Sequence, residues 1–363
     1  MRRATVHTGV PMMNAIIENQ RVSAIAALFR RAPHQLNRIH ESDAEILRLP
    51  GSDDTYLAVT TDAISEEIAS GLYTDPYQIG WMTVMANMSD LAAVAAVPAG
   101  VLLAETLPAS YPGADVREIQ HGIEDACEAA GTWILGGDTN EGAQLVLSAC
   151  ALGTITGRIL SRRGCTSGDI LYASGPLGRG NAFAFQQLLS DNISPFPYRP
   201  LARIRESQII QRYARCCMDT SDGAFGTLDQ LMRLNLVGFR LDDGWENSLD
   251  PESRDVLRAA SLPEWLLLAG PHGEFEILFT VAPSDEASLI DESGSIDWHP
   301  VRLGQVIDEP SVVLTVGGEA VPFATGWMRN LFSDVSRPLN QKLNDLLEYD
   351  LAQQEGAYDH VHA

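Results

Sequence analysis

Four times along this chain an apolar segment runs into an aspartate that has a threonine, serine or glycine beside it. The strings are Thr60-Thr61-Asp62, Asn87-Met88-Ser89-Asp90, Gly136-Gly137-Asp138-Thr139 and Asp219-Thr220-Ser221-Asp222-Gly223. Read as strand ends, they place carboxylates at the carboxyl edge of a sheet, where ligands bind in α/β folds. Any one of them is commonly a turn former or a helix cap. As a set they suit hard cations such as Mg²⁺, which take carboxylate oxygens, hydroxyls and substrate phosphates. The adjacent glycines let a nucleotide's phosphates come close to the backbone.

The segments between these aspartates alternate between strand and helix patterns, which makes the first half α/β. Tyr56 to Thr61 reads as a strand, and Val116, Ile119, Ile123, Ala126, Cys127 and Ala130 fall at helical spacing up to a stop at Gly131. A short strand, Thr132 to Leu135, is expected to end at Gly136, and another covers Leu145 to Leu152. The Arg-, Gly- and Ser-rich stretch from Thr156 to Asp169 marks a domain junction. Beyond it, a strand at Ile170 to Ala173 enters the run Gly175-Pro176-Leu177-Gly178-Arg179-Gly180, and a helix follows from Asn181 to Leu189. That run lacks the lysine of a phosphate loop and the spacing of a dinucleotide fingerprint, so it is either a tight strand-to-helix turn or a phosphate contact. Asp191 to Pro200 is expected to be a loop, Arg203 to Arg215 a helix broken by a polar turn at Met218 to Gly223, and Glu274 to Val281 and Val312 to Val316 strands. Leu339 to Leu351 is expected to be a helical tail outside the main fold.

Composition supplies exclusions. The 48 acidic residues against 25 basic ones leave a net charge of −23, and Lys342 is the sole lysine. This removes chemistry that needs a lysine in the folded body: a Walker phosphate loop, a protein-kinase ion pair or a Schiff base. It also argues against nucleic acid and anionic membranes as partners, so a small anionic substrate would be handled through bound cations. A 45% hydrophobic content over 363 residues fits two domains, each with its own core. The uncharged run Leu91 to Ala104 contains Pro98 and is 14 residues long, against the roughly 20 that a membrane span needs, so it reads as buried protein. The start at Met1-Arg2-Arg3 is basic, but Asn14 interrupts Pro11 to Ile17, which argues against a secretory signal and for a cytoplasmic protein. Cys127, Cys150, Cys165, Cys216 and Cys217 form no CxxC pair and no zinc spacing; they read as small hydrophobes or surface thiols, with the Cys216-Cys217 pair in a strand.

In this combination and order, the segments resemble thiamine-monophosphate kinase, of the aminoimidazole ribonucleotide synthetase superfamily. The resemblance runs from about Asp43 to Phe332 and rests on Thr60-Thr61-Asp62-Ala63 with Glu66, and on Asn87 to Ala93 followed by Pro98. Gly136 to Thr139, Ser174 to Gly178, Ser221-Asp222-Gly223, Glu276 to Val281 and Gly326-Trp327 complete it. It implies a two-domain α/β (α+β) fold: an N-terminal extension over 1–20, an ATP/Mg-binding and dimerisation domain over 21–156, a C-terminal α/β domain over 157–332 and a helical tail over 333–363. The N-terminal domains of two subunits would join into a dimeric β-barrel. By motif, Asp43, Asp62, Asp90, Asp138, Asp219 and Asp222 would be Mg²⁺ ligands, with Asp138 and Asp222 at the reacting phosphates. Thr60, Thr61, Gly137, Asp138, Arg162 and Ser221 would hold ATP and its metals, while Trp327 and Glu274 would contact the acceptor.

The chain also departs from the family pattern. The usual Gly-Asp-Asp-Ala is here Glu41-Ser42-Asp43-Ala44, the substrate-contacting His-Phe is Ala69-Ser70, and Gly-Glu-Asp-Tyr-Glu is Gly273-Glu274-Phe275-Glu276. The changes gather on the acceptor side, so ATP and Mg²⁺ are better supported than thiamine monophosphate. The leading expectation is direct phosphoryl transfer from ATP to a small phosphorylated acceptor. Two others stand beside it: ATP-dependent activation of an amide or carbonyl oxygen, and a nucleotide-binding homologue that has lost turnover.

Overall fold

The computed structural model describes residues 15–354 apart from 53, 191–195 and 197, and the side chains of 352–354. Residues 1–14, on which most of the expectation for the chain's start rests, and most of the expected loop from Asp191 to Pro200 therefore lie outside the described residues.

The strands are β1 (Glu45–Arg48), β2 (Thr55–Ala63), β3 (Val97–Pro108), β4 (Ile134–Gly142), β5 (Val146–Thr156), β6 (Ile170–Ala173), β7 (Ala214–Asp219), β8 (Gly238–Leu241), β9 (Ile277–Val281), β10 (Val301–Ile307), β11 (Val312–Val316) and β12 (Glu319–Phe323). The helices are α1 (Ile17–Ala26), α2 (Ser65–Ser70), α3 (Pro76–Ala93), α4 (Gly113–Ala130), α5 (Arg179–Leu189), α6 (Ile204–Tyr213), α7 (Ala224–Asn235), α8 (Pro251–Ala259), α9 (Leu266–Ala269), α10 (Glu286–Gly294), α11 (Thr325–Ser333) and α12 (Leu339–Gln354). They surround two mixed sheets, a five-stranded one in the order β1-β2-β5-β3-β4 and a seven-stranded one in the order β12-β11-β8-β10-β6-β9-β7.

In the first sheet the apolar alternation of β3 and β5 sends one face onto α3 and α4 and leaves the other open. Helix α3 begins where Asp75 caps the Tyr77 amide and Pro76 fills the first helical turn. It touches α4 almost backbone to backbone: a Cβ on Gly80 would lie 2.0 Å from the Ile119 carbonyl oxygen, and one on Gly122 would lie 2.0 Å from that of Tyr77. Larger residues at either position would force the helices apart. Helix α4 ends at Gly131 in the left-handed conformation, as its sequence predicts. The run Leu91 to Ala104 divides between the end of α3 and the start of β3. No helix among the described residues is long and apolar enough to cross a membrane.

Four sequence expectations are corrected. The strand expected to stop at Gly136 continues as β4 to Gly142, because its parallel pairing with β3 carries through the glycines. Gly137 is needed there for close strand packing, since a Cβ would lie 2.3 Å from the Leu103 carbonyl oxygen. Arg215 lies in β7 rather than in a helix, and β9 starts at Ile277 rather than at Glu274. Helix α12 is not an appendage: Leu346 and Tyr349 are buried in the core of the second sheet's half, and Trp265 Nε1 donates to Asp350 at 2.7 Å. Cys216 and Cys217 are buried in β7, as expected, and all five cysteines are free thiols.

Candidate active site

Three carboxylates from distant parts of the sequence converge. Asp43 comes from the loop before β1, Asp90 from the last turn of α3 and Asp219 from the end of β7, and an oxygen of each lies within 4.8 Å of the others. Hydroxyls hold them in place. Thr60 donates to Asp90, Ser89 donates to Asp219 at 2.6 Å, and Ser221 donates to the other Asp219 oxygen at 2.9 Å. Arg162 faces Asp43 at 2.8 Å. Burial and the Asp62, Asp219 and Asp43 carboxylates push the Asp90 carboxyl well up from its usual range. Burial, followed by Asp43, raises Asp219 to about 7. Burial would weaken the charge on Arg162, but the Asp43 carboxylate outweighs it and holds the guanidinium firmly protonated.

Next to these carboxylates Ser42 Oγ, Thr220 Oγ1 and Arg162 Nε are buried without a protein partner, and so is Glu67 Oε2 on α2, which lies within electrostatic reach of Asp62 and Asp222. An unmade buried hydrogen bond costs about 1–3 kcal/mol, so a group of them beside one acidic cluster is a cost that a bound ligand would relieve. Asp62 lies on β2, with its carboxyl raised by burial and by Asp222 and Asp43, which puts both of those carboxylates within its electrostatic reach.

The other expected site residues are placed differently. Asp90 is on a helix rather than at a strand end, and Asp138 sits within β4, where Asn140 donates to it at 2.7 Å. Gly137 and Asp138 occupy the edge strand, with β3 and β5 between them and β2. Thr61 spends its hydroxyl on the Ala149 carbonyl at 2.9 Å. Glu274 is only 5% exposed and accepts the Gly178 amide at 2.9 Å and the Gly180 amide at 3.4 Å. Thus Glu274 closes the glycine run as a strand-to-helix turn and occupies amides that a phosphate would use. One face of Trp327 stacks on Tyr349, with ring centres 5.5 Å apart. Ser89, Glu67 and Thr220 carried no individual role in the sequence reading, although Ser89 and Thr220 stand next to aspartates that did.

The fold and the acidic centre define the class first: this is an α/β protein of the AIR synthase-related type, and the family described as AIR synthase related protein, N-terminal domain, matches residues 41–155. Thiamine-monophosphate kinase of Methanospirillum hungatei is 31% identical over 251 residues, covering 68% of this chain and 82% of that protein. Thiamine-monophosphate kinase of Nitrosopumilus maritimus is 24% identical over 315 residues, covering 84% and 97% respectively. The chain belongs to the thiamine-monophosphate kinase family and is an ATP-dependent kinase. A solved structure of AaThiL complexed with AMPPCP and TMP shares the fold, with a TM-score of 0.67 at 21% identity over 82% of this chain and 93% of that one.

Proposed function

We propose that the enzyme transfers the γ-phosphate of ATP to a small phosphorylated acceptor, with thiamine monophosphate as the leading candidate. The observation that carries this reading is the convergence of Asp43, Asp90 and Asp219, with unpaired polar atoms on the adjoining Ser42, Thr220 and Arg162. An all-oxygen donor set of mutually repelling carboxylates fits Mg²⁺. Asp43, Asp90 and Asp219 would hold the ion, with Asp62 and Asp222 as further ligands, whereas Asp138, on the edge strand, would serve a second Mg²⁺. Mg²⁺ bound there would neutralise charge on the γ-phosphate and on the acceptor phosphate. Arg162, with its unpaired Nε, is suited to an ATP oxygen, and Thr60, Thr61, Gly137 and Ser221 to holding the nucleotide. An ionised acceptor oxygen attacks the γ-phosphorus while the bond to the β–γ bridging oxygen breaks, releasing ADP. That oxygen is already ionised at neutral pH, so no protein base is needed.

The strand division supports the proposed domains, since β1 to β5 fall within 21–156 and β6 to β12 within 157–332. A dimeric barrel is supported by the open side and edge of the first sheet, where Val97, Leu102, Trp133, Leu135 and Val146 are exposed. The free thiols suit a reducing, cytoplasmic setting.

Activation of an amide or carbonyl oxygen is the second reading, favoured by Ala69-Ser70 and by the buried position of Glu274. Incubation with Mg·ATP and thiamine monophosphate should yield ADP and thiamine diphosphate, and Asp138→Asn should abolish this with the fold intact. ATP binding without diphosphate formation would reject thiamine monophosphate as acceptor. ADP and free phosphate appearing only with a carbonyl acceptor and an amine would establish the second reading.

A further inference from the structure

Helix α1 spans the two halves of the molecule, although none of its residues is buried. On the second half, Asn330 of α11 accepts the Ile17 amide at 3.0 Å and donates to the Ala15 carbonyl at 2.9 Å. Asn19 donates to Gln230 of α7 at 2.8 Å, and Glu18 faces Arg329 at 3.5 Å. On the first half, α1 meets His40, with Ser23 Oγ 3.0 Å from His40 Nε2.

His40 stands in a tight turn closed by the Glu41 amide on the Arg38 carbonyl at 3.1 Å, and its backbone is left-handed, with φ of +67°. Such a conformation is uncommon for a residue with a side chain and persists where surrounding contacts hold it. Three residues later the chain reaches Asp43, and the Arg162 amide donates to the Glu41 carbonyl at 2.9 Å. The turn that carries His40 is therefore the turn that sets the Asp43–Arg162 pair.

We infer that α1 is a strap between the two halves and that His40, held by Ser23, is a positioning residue that fixes the Asp43 loop for nucleotide binding. The inference rests on the reading of Asp43 as part of the ATP and metal site. Because α1 docks through polar contacts with little apolar burial, its hold depends on those few bonds.

The test uses the full chain and measures Mg·ATP dissociation by calorimetry, together with ADP release in the presence of thiamine monophosphate. His40→Gly tolerates the left-handed backbone and deletes the ring, so the turn survives without its grip. It is expected to weaken Mg·ATP binding about 10-fold, through loss of the whole ring, and Ser23→Ala about threefold to fivefold, as loss of one hydrogen bond implies. Both should keep the turnover rate at saturating ATP within about twofold of wild type on this account, and Ser23→Thr should restore affinity. Asp43→Asn is the control for the underlying reading. If Asp43→Asn weakens binding and His40→Gly does not, the strap inference is overturned. If Asp43→Asn also binds as wild type, the site reading fails and the inference goes with it. A fall in turnover rate with unchanged affinity in His40→Gly would likewise overturn it.

Discussion

Asp43 and Arg162 meet at 2.8 Å with side chains only 2% and 16% exposed, and the same Asp43 belongs to the cluster with Asp90 and Asp219. Arg162 is thus the cation that offsets converging carboxylates when no metal is bound. Breaking a buried pair on one side leaves an uncompensated charge, so Arg162→Met should lose about 3 kcal/mol of stability in chelator. Added Mg²⁺ should recover part of that loss. Urea unfolding with and without Mg²⁺ measures both, and equal stability of mutant and wild type in chelator would mean the pair contributes nothing.

Asp219 is expected to oppose folding in the absence of metal. Its folded value of about 7 lies above the ordinary 3.8, with burial as the leading cause. No cost exists below 3.8; it grows between 3.8 and 7 as the unfolded chain ionises first, and it is fully present above 7. Asp219→Asn should therefore gain roughly 2 kcal/mol at alkaline pH in chelator, while phosphoryl transfer falls on the order of 100-fold or more. A destabilised Asp219→Asn in chelator would contradict the repulsion account.

Part of this centre is legible in the sequence, because the hydroxyls that hold its carboxylates flank the aspartates that stand out there: Thr60, near Asp62, donates to Asp90, Ser89, beside Asp90, donates to Asp219, and Ser221 donates to Asp219. What sequence alone hides has identifiable causes. Helix α3 is buried on most of its circumference, so it shows no clear amphipathic period and Asp90 reads as a strand-end residue. Strand β4 runs through Gly136 and Gly137 because its partner β3 supplies the pairing, whereas glycines alone suggest a stop. Glu274 matches a substrate-contacting position by motif, yet it is bound to the Gly178 and Gly180 amides, a contact across more than ninety residues that no local pattern records.

Glu274 gives a second pH dependence, separate from the acidic centre. Burial, followed by the Glu276 carboxylate, raises it from 4.5 to about 8, against the pull of the Gly178 and Gly180 amides. The unfolded chain ionises near 4.5 while the folded one stays protonated, so this residue's contribution to stability falls from there until about 8 and is then constant. Glu274→Gln keeps an acceptor for both amides and removes the ionisation. The mutant should gain on wild type across that window, by on the order of 4 kcal/mol at most. A stability difference that does not change with pH would show that Glu274 does not titrate there.

Helix α12 bears on whether the chain after Phe332 is dispensable. Tyr349 stacks on Trp327 at 5.5 Å, packs edge-on against Trp265 at 6.1 Å, and is 4% exposed. Its hydroxyl accepts the Ala324 amide at 3.1 Å, tying α12 to the start of α11. Removing such a ring leaves a cavity that the surrounding aromatics cannot fill without moving, so Tyr349→Ala should cost about 3 kcal/mol. It should also shift the tryptophan fluorescence, because Trp265 and Trp327 lose a shared neighbour. Truncation after Phe332 would expose Leu257, Leu266 and Leu267, which line an apolar cavity with Leu343 and Leu346 of α12, and should yield an aggregation-prone chain. A soluble truncated enzyme with wild-type melting temperature would restore the view of α12 as a tail outside the fold. If only Tyr349→Ala is silent, the helix is held by its leucines rather than by the aromatic stack.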